Sequence, residues 1–294
     1  MEAIQPMSQK ARKRLTILSV IFFVIAVPCV ILYASGYRIS FSKDKGGVVA
    51  TGGVFVSLSP SGSLFSVDGK AVQSTSFFSN RFFEQDLTPG IHNISVTKDG
   101  YESWDKSIVI QPNEVSELNS FLVPNDMSWM QLVVGTTSST STMAVSQSEF
   151  SKIKDLFIST TSTSSLAYVF PTSTTTARTS SSIHIWVEDK TLIAERSSSN
   201  LFFPGVFCVG GINDCLTRIY IPLSSKPSFI DFYPGRSDAV IVVNSKSVYA
   251  VELDGSESRT IKNIYKGNQP KVRVYNGKIY IQDGVKWFIS GVIN

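Results

Sequence analysis

The longest apolar stretch of the chain lies near its start, where residues 15–33 read LTILSVIFFVIAVPCVILY without a charge. Coiled as a helix, this stretch would span about 28 Å, close to the roughly 30 Å hydrocarbon core of a bilayer. A buried core helix is disfavoured, because no face of the helix would be polar and its two flanks are asymmetric. The pattern predicts a transmembrane helix over residues 15–34.

A cleaved signal peptide is the alternative interpretation of this stretch. The apolar part of a signal peptide is usually about 7–15 residues long and ends at a small-residue cleavage site. Here the stretch is longer, and the nearest candidate site, YASG at residues 33–36, is a poor one. Cys29 is a poor lipoprotein acceptor, because Pro28 precedes it and five apolar or aromatic residues follow it. An uncleaved anchor is the favoured prediction, and a transmembrane helix tolerates Pro28.

After residues 35–52, predicted as a juxtamembrane linker, the pattern changes to short runs of period-two alternation between turn signals. Such runs are typical of β-strands with one buried face. The predicted strands cover residues 54–58, 64–67, 92–97, 106–110 and 117–123. Because no helical pattern of useful length interrupts them, residues 53–123 are predicted to form a small antiparallel β-sandwich.

Residues 124–294 are the second predicted unit, and the whole chain is therefore predicted to be mainly β after its N-terminal helix. IHIWVEDKTLIAE predicts a hairpin over residues 188–190, and Asn276-Gly277 is typical of a type I′ turn. The segment from SFIDFYPG to VYAVELDG looks like one blade of a TolB- or WD40-like propeller. The length allows about four blades of about 40–45 residues, so a propeller-like domain and an irregular β array both stay open.

Serine and threonine dominate residues 136–182, as in GTTSSTST and TSTTTARTSSS. Such a composition is typical of a linker or a disordered segment. Apolar islands such as LAYVF, residues 166–170, interrupt it, and threonine suits strands. We therefore favour a β domain with polar loops here.

Three segments follow one another in residues 53–123: GGVFVSLSPSGSLFSVDGK, LTPGIHNISVTKDGY and VIQPNEVSELNSFLV. In this order they resemble the PEGA domain, a small extracytoplasmic β-sandwich repeat. The tetrad that names the family falls at residues 60–63, where serines replace its Glu and Ala. The resemblance assigns the motif turns to Pro60, Gly62, Asp68, Gly69, Pro89, Gly90, Gly100 and Tyr101.

The resemblance implies an adhesive or scaffolding role on cell-wall or surface-layer material. An N-terminal anchor followed directly by such a module is also similar to single-pass membrane proteins of bacteria. Both expectations come from the family and not from composition or periodicity.

Charge is concentrated at the N-terminus. The first fourteen residues carry +3 of the formal net charge of +4, so the remaining 280 residues carry +1 and offer no basic surface for nucleic acid. By the positive-inside rule, the basic cluster stays cytoplasmic and the bulk of the chain is extracytoplasmic. The residues that set this orientation are Lys10, Arg12, Lys13 and Arg14.

The sequence makes no positive case for catalysis. The motifs HExxH, GxSxG, GxxxxGK[ST] and GxGxxG do not occur, and His92 and His184 lie in predicted strands without a ligand-spaced neighbour. Four aspartates precede glycine, where the tight turn explains them: Asp68, Asp99, Asp254 and Asp283. No catalytic, cofactor-binding or metal-binding residue is predicted.

Cys208 and Cys215 enclose the loop VGGIND, whose length and glycines allow two strand ends to meet. Outside the cytoplasm such a pair can oxidise, so we expect a disulfide, with free thiols as the alternative. In the chain-entropy model, closing this loop would contribute roughly 2–2.5 kcal/mol. A zinc site would need two further ligands at suitable spacing. The third cysteine, Cys29, lies in the predicted anchor.

Aromatic residues are the remaining candidates for a binding surface: Phe77, Phe78, Phe82, Phe83 and Trp104. Because adjacent residues of a strand point to opposite faces, one phenylalanine of each pair is expected in the core, which leaves a ligand patch as the less favoured interpretation. The favoured function is a non-enzymatic, membrane-anchored binding or scaffold protein of the cell envelope. Its expected partners are the lipid bilayer, through residues 15–34, and an envelope polysaccharide or surface protein. A glycan hydrolase that uses carboxylates of residues 124–294 is the alternative. A sensor is disfavoured, because a cytoplasmic tail of residues 1–14 leaves no room for an output domain.

Overall fold

The computed structural model describes residues 9–40, 47–72, 80–158, 177–180, 183–197, 205–208, 215–256 and 258–291. The protein is mainly β, with one apolar N-terminal helix and several small sheets, as predicted. The first helix, α1, covers Gln9–Ala34, so it begins six residues before the predicted span and includes the basic cluster. None of its residues is buried. By length and composition, α1 is apolar enough to cross a membrane.

The segment predicted as a linker contains a hairpin. Its strands are β1 (Tyr37–Ser40) and β2 (Gly47–Ala50), and they pair antiparallel. The Thr51 hydroxyl donates a hydrogen bond to the Gly36 carbonyl over 2.7 Å. Arg38 Nη2 lies 2.6 Å from an Asp86 carboxylate oxygen, and its guanidinium lies 3.9 Å above the centre of the Tyr33 ring. These contacts hold the end of α1 against the β-sandwich that follows.

Two sheets form this sandwich. One has the order β6–β3–β9, with β6 at Arg81–Leu87, β3 at Gly52–Ser57 and β9 at Val115–Asn119. The other has the order β5–β4–β7–β8, with β5 at Lys70–Ala71, β4 at Leu64–Val67, β7 at Gly90–Thr97 and β8 at Trp104–Ile110. Alternate side chains of both sheets point inward, among them Val54, Val56, Phe65 and Ile94.

The sandwich departs from the all-antiparallel prediction at one pair, because β3 and β9 run parallel. The preceding strand β8 belongs to the other sheet, so the chain crosses between sheets at residues 111–114. A connection that changes sheets is not a hairpin, and it does not impose the antiparallel direction on β9.

Gly52→Ala is expected to reduce the free energy of unfolding by about 1–3 kcal/mol, because over-packing forces the backbone to move. A Cβ at Gly52 would lie 2.3 Å from the Gln111 carbonyl oxygen and 2.6 Å from Ile110 Cγ2. Urea unfolding of the full chain in detergent measures the change. Gly135→Ala is the control, since a Cβ there meets nothing within 4 Å. Equal unfolding midpoints for both variants would contradict this account.

The C-terminal region of the described chain forms three further sheets, each an antiparallel meander at its core. The first consists of β12 (Ala177–Thr179), β13 (Ile183–Glu188), β14 (Thr191–Arg196) and β15 (Arg218–Pro222). The second consists of β16 (Phe229–Phe232), β17 (Ala239–Val243), β18 (Ser247–Glu252) and β19 (Ile261–Lys266). The third contains β20 (Lys271–Tyr275), β21 (Lys278–Asp283) and β22 (Lys286–Ser290).

Two strands from the start of the C-terminal region complete the third sheet. They are β10 (Trp129–Val134) and β11 (Thr142–Val145), and β10 pairs antiparallel with β22. The first strands of the three meanders lie together, since β12 contacts β16 and β16 contacts β20. In this blade-like arrangement, strands from both ends of the region complete the third sheet. Both predicted hairpins, over residues 188–190 and at Asn276-Gly277, are present.

A second helix, α2 (Gln147–Ile158), lies within the serine- and threonine-rich region, where we predicted only strands and loops. Its N-terminus is a capping box: the Ser146 hydroxyl accepts from the Glu149 amide, and the Glu149 carboxylate accepts from the Ser146 amide. Phe150 and Phe157 then pack edge-on against Trp287. Residues 159–176 and 181–182, which include the LAYVF island, lie outside the described residues.

One hydrophobic core extends across the predicted domain boundary at residues 123 and 124. It joins sandwich residues such as Val56 and Trp104 to Ile241 of β17 and Ile281 of β21. A second core lies between the first and second C-terminal sheets, and a third lies between α2 and the third sheet. The sandwich and the C-terminal sheets are therefore packed together and not merely linked.

Candidate functional site at the junction of the β units

Strand β8 brings a charged side chain into the interior. Trp104, Lys106 and Ile110 alternate on its buried face, and the side chain of Lys106 is only 3% exposed. A buried ammonium group needs partners, because leaving it unpaired in a poorly hydrated site is costly. The partners of Lys106 come from the end of strand β18, about 150 residues later in the chain.

We use "the junction" for Trp104 and Lys106 of the sandwich together with Glu252 and Asp254 of the second C-terminal sheet. Lys106 Nζ lies 2.8 Å from Glu252 Oε2 and also donates to Asp254 Oδ2. Its third hydrogen bond goes to the Ser258 carbonyl over 3.0 Å. The ammonium group thus has three acceptors, which satisfies its three N–H donors.

Glu252 is held from two further directions. The indole Nε1 of Trp104 donates to Glu252 Oε1 over 2.9 Å, and the Thr260 amide donates to Glu252 Oε2 over 2.9 Å. The glutamate side chain is 7% exposed. Each of its oxygens therefore has a donor, and its position depends on both β units.

The environment of Asp254 favours its charged form. Burial by itself raises the pKa of this carboxyl, but the Lys106 ammonium and the hydrogen bonds from Ser256 more than offset it, so the net pKa is lowered. A general acid of a glycoside hydrolase needs a carboxyl whose pKa is raised. The electrostatics of Asp254 thus suit an ion pair better than proton donation.

A cleft of about 60 Å³ lies beside the junction. It is bordered by the junction residues and by Leu118, Val206 and Cys208 among others. A single water needs roughly 10–15 Å³ of such space, so the cleft accommodates a few waters. It is too small for a sugar ring, and the cluster is best explained as an internal clamp between the two units.

Asp254→Asn is expected to weaken the dependence of stability on acid pH. Because the folded-state pKa lies below the ordinary 3.8, the carboxylate stabilises the fold above that pH, and the contribution is lost as pH falls through the folded-state value. Thermal unfolding of the full chain from pH 7 to pH 2 measures this. Asp126→Asn, at an exposed position, is the control. Parallel profiles for the wild type and Asp254→Asn would contradict the account.

Two more contacts cross the same interface. Arg236 pairs with Asp238 through two hydrogen bonds of 2.7 Å and donates to the Ser120 carbonyl of the sandwich over 2.8 Å. Nearer the solvent, Lys262 Nζ lies 2.8 Å from Glu102 Oε2. The interface therefore combines a hydrophobic core with the buried charges of the junction and a more exposed ion pair at its rim.

The motif residues lie at separate turns of the sandwich and not at the junction. Asp68 and Gly69 adopt φ values of 50° and 74° between β4 and β5, as an Asp-Gly hairpin turn requires. Gly100 has φ 81°, and Tyr101 forms a bridge with Pro124 and packs against the core. Of the others, Pro60 is buried, whereas Gly62, Pro89 and Gly90 are exposed.

His92 connects two of these turns. Its Nδ1 lies 2.7 Å from Asp68 Oδ2, and its Nε2 lies 2.7 Å from the Thr88 carbonyl. The Asn93 amide donates to the same aspartate, and this bond, followed by that to His92, lowers the pKa of Asp68. The sequence placed both histidines in strands without a catalytic partner, and in the structure His92 braces the sandwich.

Cys208 and Cys215 are joined by a disulfide. Residues 209–214 between them lie outside the described residues. Free-thiol titration of the denatured, non-reduced protein is expected to detect Cys29 alone and to gain two thiols after reduction. A count of three thiols before reduction would contradict the disulfide in the protein as isolated.

Of the candidate aromatic residues, those that the structure describes do not form one surface patch, and Phe82 and Phe83 lie on opposite faces as expected. Trp104 is buried in the junction, and Phe82 packs against Phe65 with ring centres 5.5 Å apart. Phe83, on the opposite face, is half exposed. Phe77 and Phe78 lie outside the described residues.

The sequence reading missed the junction, although one signal was present. Period-two alternation in WDKSIVI places Lys106 on the same face as Trp104 and Ile110, which marks a charge on a buried face. The acidic partners of Lys106 gave no comparable local signal. Asp254 looked like an ordinary turn residue, and its partner could be found only in three dimensions.

Among the described residues, no group of three or more His, Cys, Asp or Glu side chains is arranged to hold a metal ion. No protein-family model matches the chain, and no curated protein matches it at a significant level. The resemblance to the PEGA domain therefore stays a prediction from the motif residues.

Proposed function

We propose that this protein is a non-enzymatic, membrane-anchored binding or scaffold protein that presents its β units outside the cytoplasm, in a cell envelope. The observation that carries the proposal is the continuity of α1 with the sandwich. An apolar helix without a buried residue runs into a hairpin and an ion pair that fasten it to the sandwich. A surface held in this way keeps a defined position relative to a bilayer.

Three observations support the orientation and the role. The basic cluster precedes the apolar stretch, which favours a cytoplasmic N-terminus. The disulfide suits an oxidising compartment on the other side of the membrane. The junction fastens the sandwich to the C-terminal sheets, which suits a scaffold. The motif resemblance adds an envelope polysaccharide or surface protein as the partner.

Membrane topology tests the first half of the proposal. In a Cys29→Ala background, Val285→Cys adds a thiol at a position that is 92% exposed in the C-terminal unit, and Gln9→Cys adds one at the N-terminal end of α1. A membrane-impermeant maleimide should label Val285→Cys on intact spheroplasts. It should label Gln9→Cys only after permeabilisation. The reverse pattern would overturn the proposed orientation.

Binding tests the second half. Full-length protein in detergent is incubated with isolated envelope polysaccharide, and retention is compared with that of the same protein after thermal unfolding. Specific retention of the folded protein, without release of new reducing ends, is expected. Release of reducing ends that Asp254→Asn abolishes would favour the hydrolase alternative, and no retention at all would contradict a polysaccharide-binding role.

A further inference from the structure

The first strands of the three C-terminal meanders bring charged side chains to one place. Arg178 lies on β12, Asp231 on β16 and Arg273 on β20. These strands contact one another in the order β12, β16, β20. The three residues are far apart in sequence, so their meeting is a product of the blade-like arrangement.

An aromatic ring and a carboxylate organise the two arginines. The guanidinium carbons of Arg178 and Arg273 lie 4.8 Å and 4.9 Å from the centre of the Phe229 ring. Both guanidinium groups therefore lie within about 5 Å of the same ring centre and less than about 10 Å from each other. Arg178 Nε lies 3.7 Å from Asp231 Oδ1, and the Asp231 side chain remains 24% exposed.

Helix α2 fixes the second arginine. Arg273 Nε donates to the Leu156 carbonyl over 2.9 Å, and Nη1 donates to the Val272 carbonyl over 2.9 Å. The guanidinium also lies 5.5 Å from the Phe157 ring centre. In Arg178, Nη1 donates to the carbonyl of Ala177. These contacts use Nε and Nη1, and for the Nη2 groups of both arginines the described residues supply no acceptor within hydrogen-bond distance.

The charges of the cluster do not balance. Two guanidinium groups face one carboxylate, which leaves one positive charge in a half-buried place. Burial raises the pKa of Asp231 despite the nearby arginines, and burial together with Arg178 lowers the pKa of Arg273. Both pKa shifts arise mainly because burial removes water from the charged forms of these groups.

We propose that Arg178 and Arg273 form a binding site for a ligand carboxylate, held by their Nη2 groups beside Phe229. A single carboxylate neutralises the excess charge of the cluster, whereas a phosphate would bring more negative charge close to Asp231. Uronic acids of envelope polysaccharides and acidic side chains of proteins both carry this group. The inference deepens the proposed binding function and rests on it for the source of the ligand, but not for the existence of the site.

Calorimetric titration of the full chain in detergent at low salt tests the site with four probes: glucuronate, glucose, the α-amide of N-acetylglutamate, which keeps only the side-chain carboxylate, and inorganic phosphate. Glucuronate or the glutamate amide should bind and glucose should not, and the tighter of the two carboxylates indicates whether the ligand is a sugar or a peptide. Absence of binding by both carboxylates would overturn the proposal. Phosphate binding tighter than both would overturn the assignment to carboxylate.

Three substitutions sharpen the test. Arg178→Gln and Arg273→Gln should each weaken carboxylate binding by about tenfold or more, as expected for a lost charge-assisted hydrogen bond. Asp231→Asn should tighten it, a gain that partial unfolding does not produce. Arg218→Gln, which removes an arginine paired with Glu195 elsewhere in the first sheet, is the control.

Equal effects of Arg218→Gln and Arg273→Gln, or weaker binding by Asp231→Asn, would overturn the site. Far-ultraviolet circular dichroism and the unfolding midpoint of each ligand-free variant verify that it is folded. Maleimide labelling at Val285→Cys does not depend on these arginines. A failure of the carboxylate site can therefore be distinguished from a failure of the proposed membrane orientation.

Discussion

Lys106→Met is expected to reduce the free energy of unfolding by about 3–5 kcal/mol, the typical cost of removing one partner from a buried ion pair. The methionine fills much of the space but leaves Glu252 and Asp254 without their shared ammonium group. Urea unfolding of the full chain in detergent measures the loss. Because Trp104 donates to Glu252 in the same cluster, its fluorescence should report the opening of the junction.

Two further variants test whether the stability lost in Lys106→Met comes from breaking the buried ion pair or from the loss of a positive charge in general. Lys262→Met removes the more exposed contact with Glu102 at the rim of the same interface and is expected to cost at most about 1 kcal/mol. Neutralising both acids in the Lys106→Met background, with Glu252→Gln and Asp254→Asn, should recover part of the lost stability. A Lys106→Met cost no larger than that of Lys262→Met would contradict the role assigned to the junction.

Ile289→Ala is expected to reduce the free energy of unfolding by about 2–5 kcal/mol, the range for removing a buried aliphatic side chain. Ile289 is 2% exposed and lies on β22 opposite Met130 of β10 and Tyr280 of β21. It also belongs to the core between α2 and the third sheet. The residue thus lies where strands from the two ends of the C-terminal region meet. Thermal and urea unfolding of the full chain measure the change.

Val285→Ala provides the matched control for this strand. Val285 precedes β22 but is 92% exposed, so its truncation should change stability by no more than about 0.5 kcal/mol. If Ile289→Ala resembled Val285→Ala, the closing strand pair would not belong to the cooperative fold. A large loss for Ile289→Ala alone would support closure by β10 and β22.

Local patterns in the sequence were sufficient for a large part of the fold. The uncharged stretch predicted the apolar helix, and period-two alternation located most strands of the sandwich. Asp68-Gly69 and Asn276-Gly277 marked hairpin turns, since both residues of such turns adopt positive φ. Each of these features depends on neighbours in sequence, which is why one amino-acid sequence is enough to predict them.

Other local signals were present but were outweighed by composition. The serine- and threonine-rich region suggested strands and loops, yet Phe150, Ile153 and Phe157 recur at helical spacing after the Ser146–Glu149 capping box. The run RFFEQDL, where we predict no strand, likewise forms strand β6. In both segments the periodicity that distinguishes helix from strand is present in the sequence.

The choice of distant partners could not be made from sequence. Nothing near β9 indicates that it pairs parallel with β3, and nothing near β10 indicates that it completes a sheet with β22. The same holds for Lys106 with Glu252, and for Arg178 and Arg273 around Asp231.

Residue order along the chain thus set where helix, strands and turns form, since these depend on backbone conformation and on the spacing of apolar side chains. Packing in three dimensions selected which strands pair and which charges meet, because burial and Coulomb interactions depend on distance in space. The anchor belongs to the first category. The junction and the arginine cluster belong to the second.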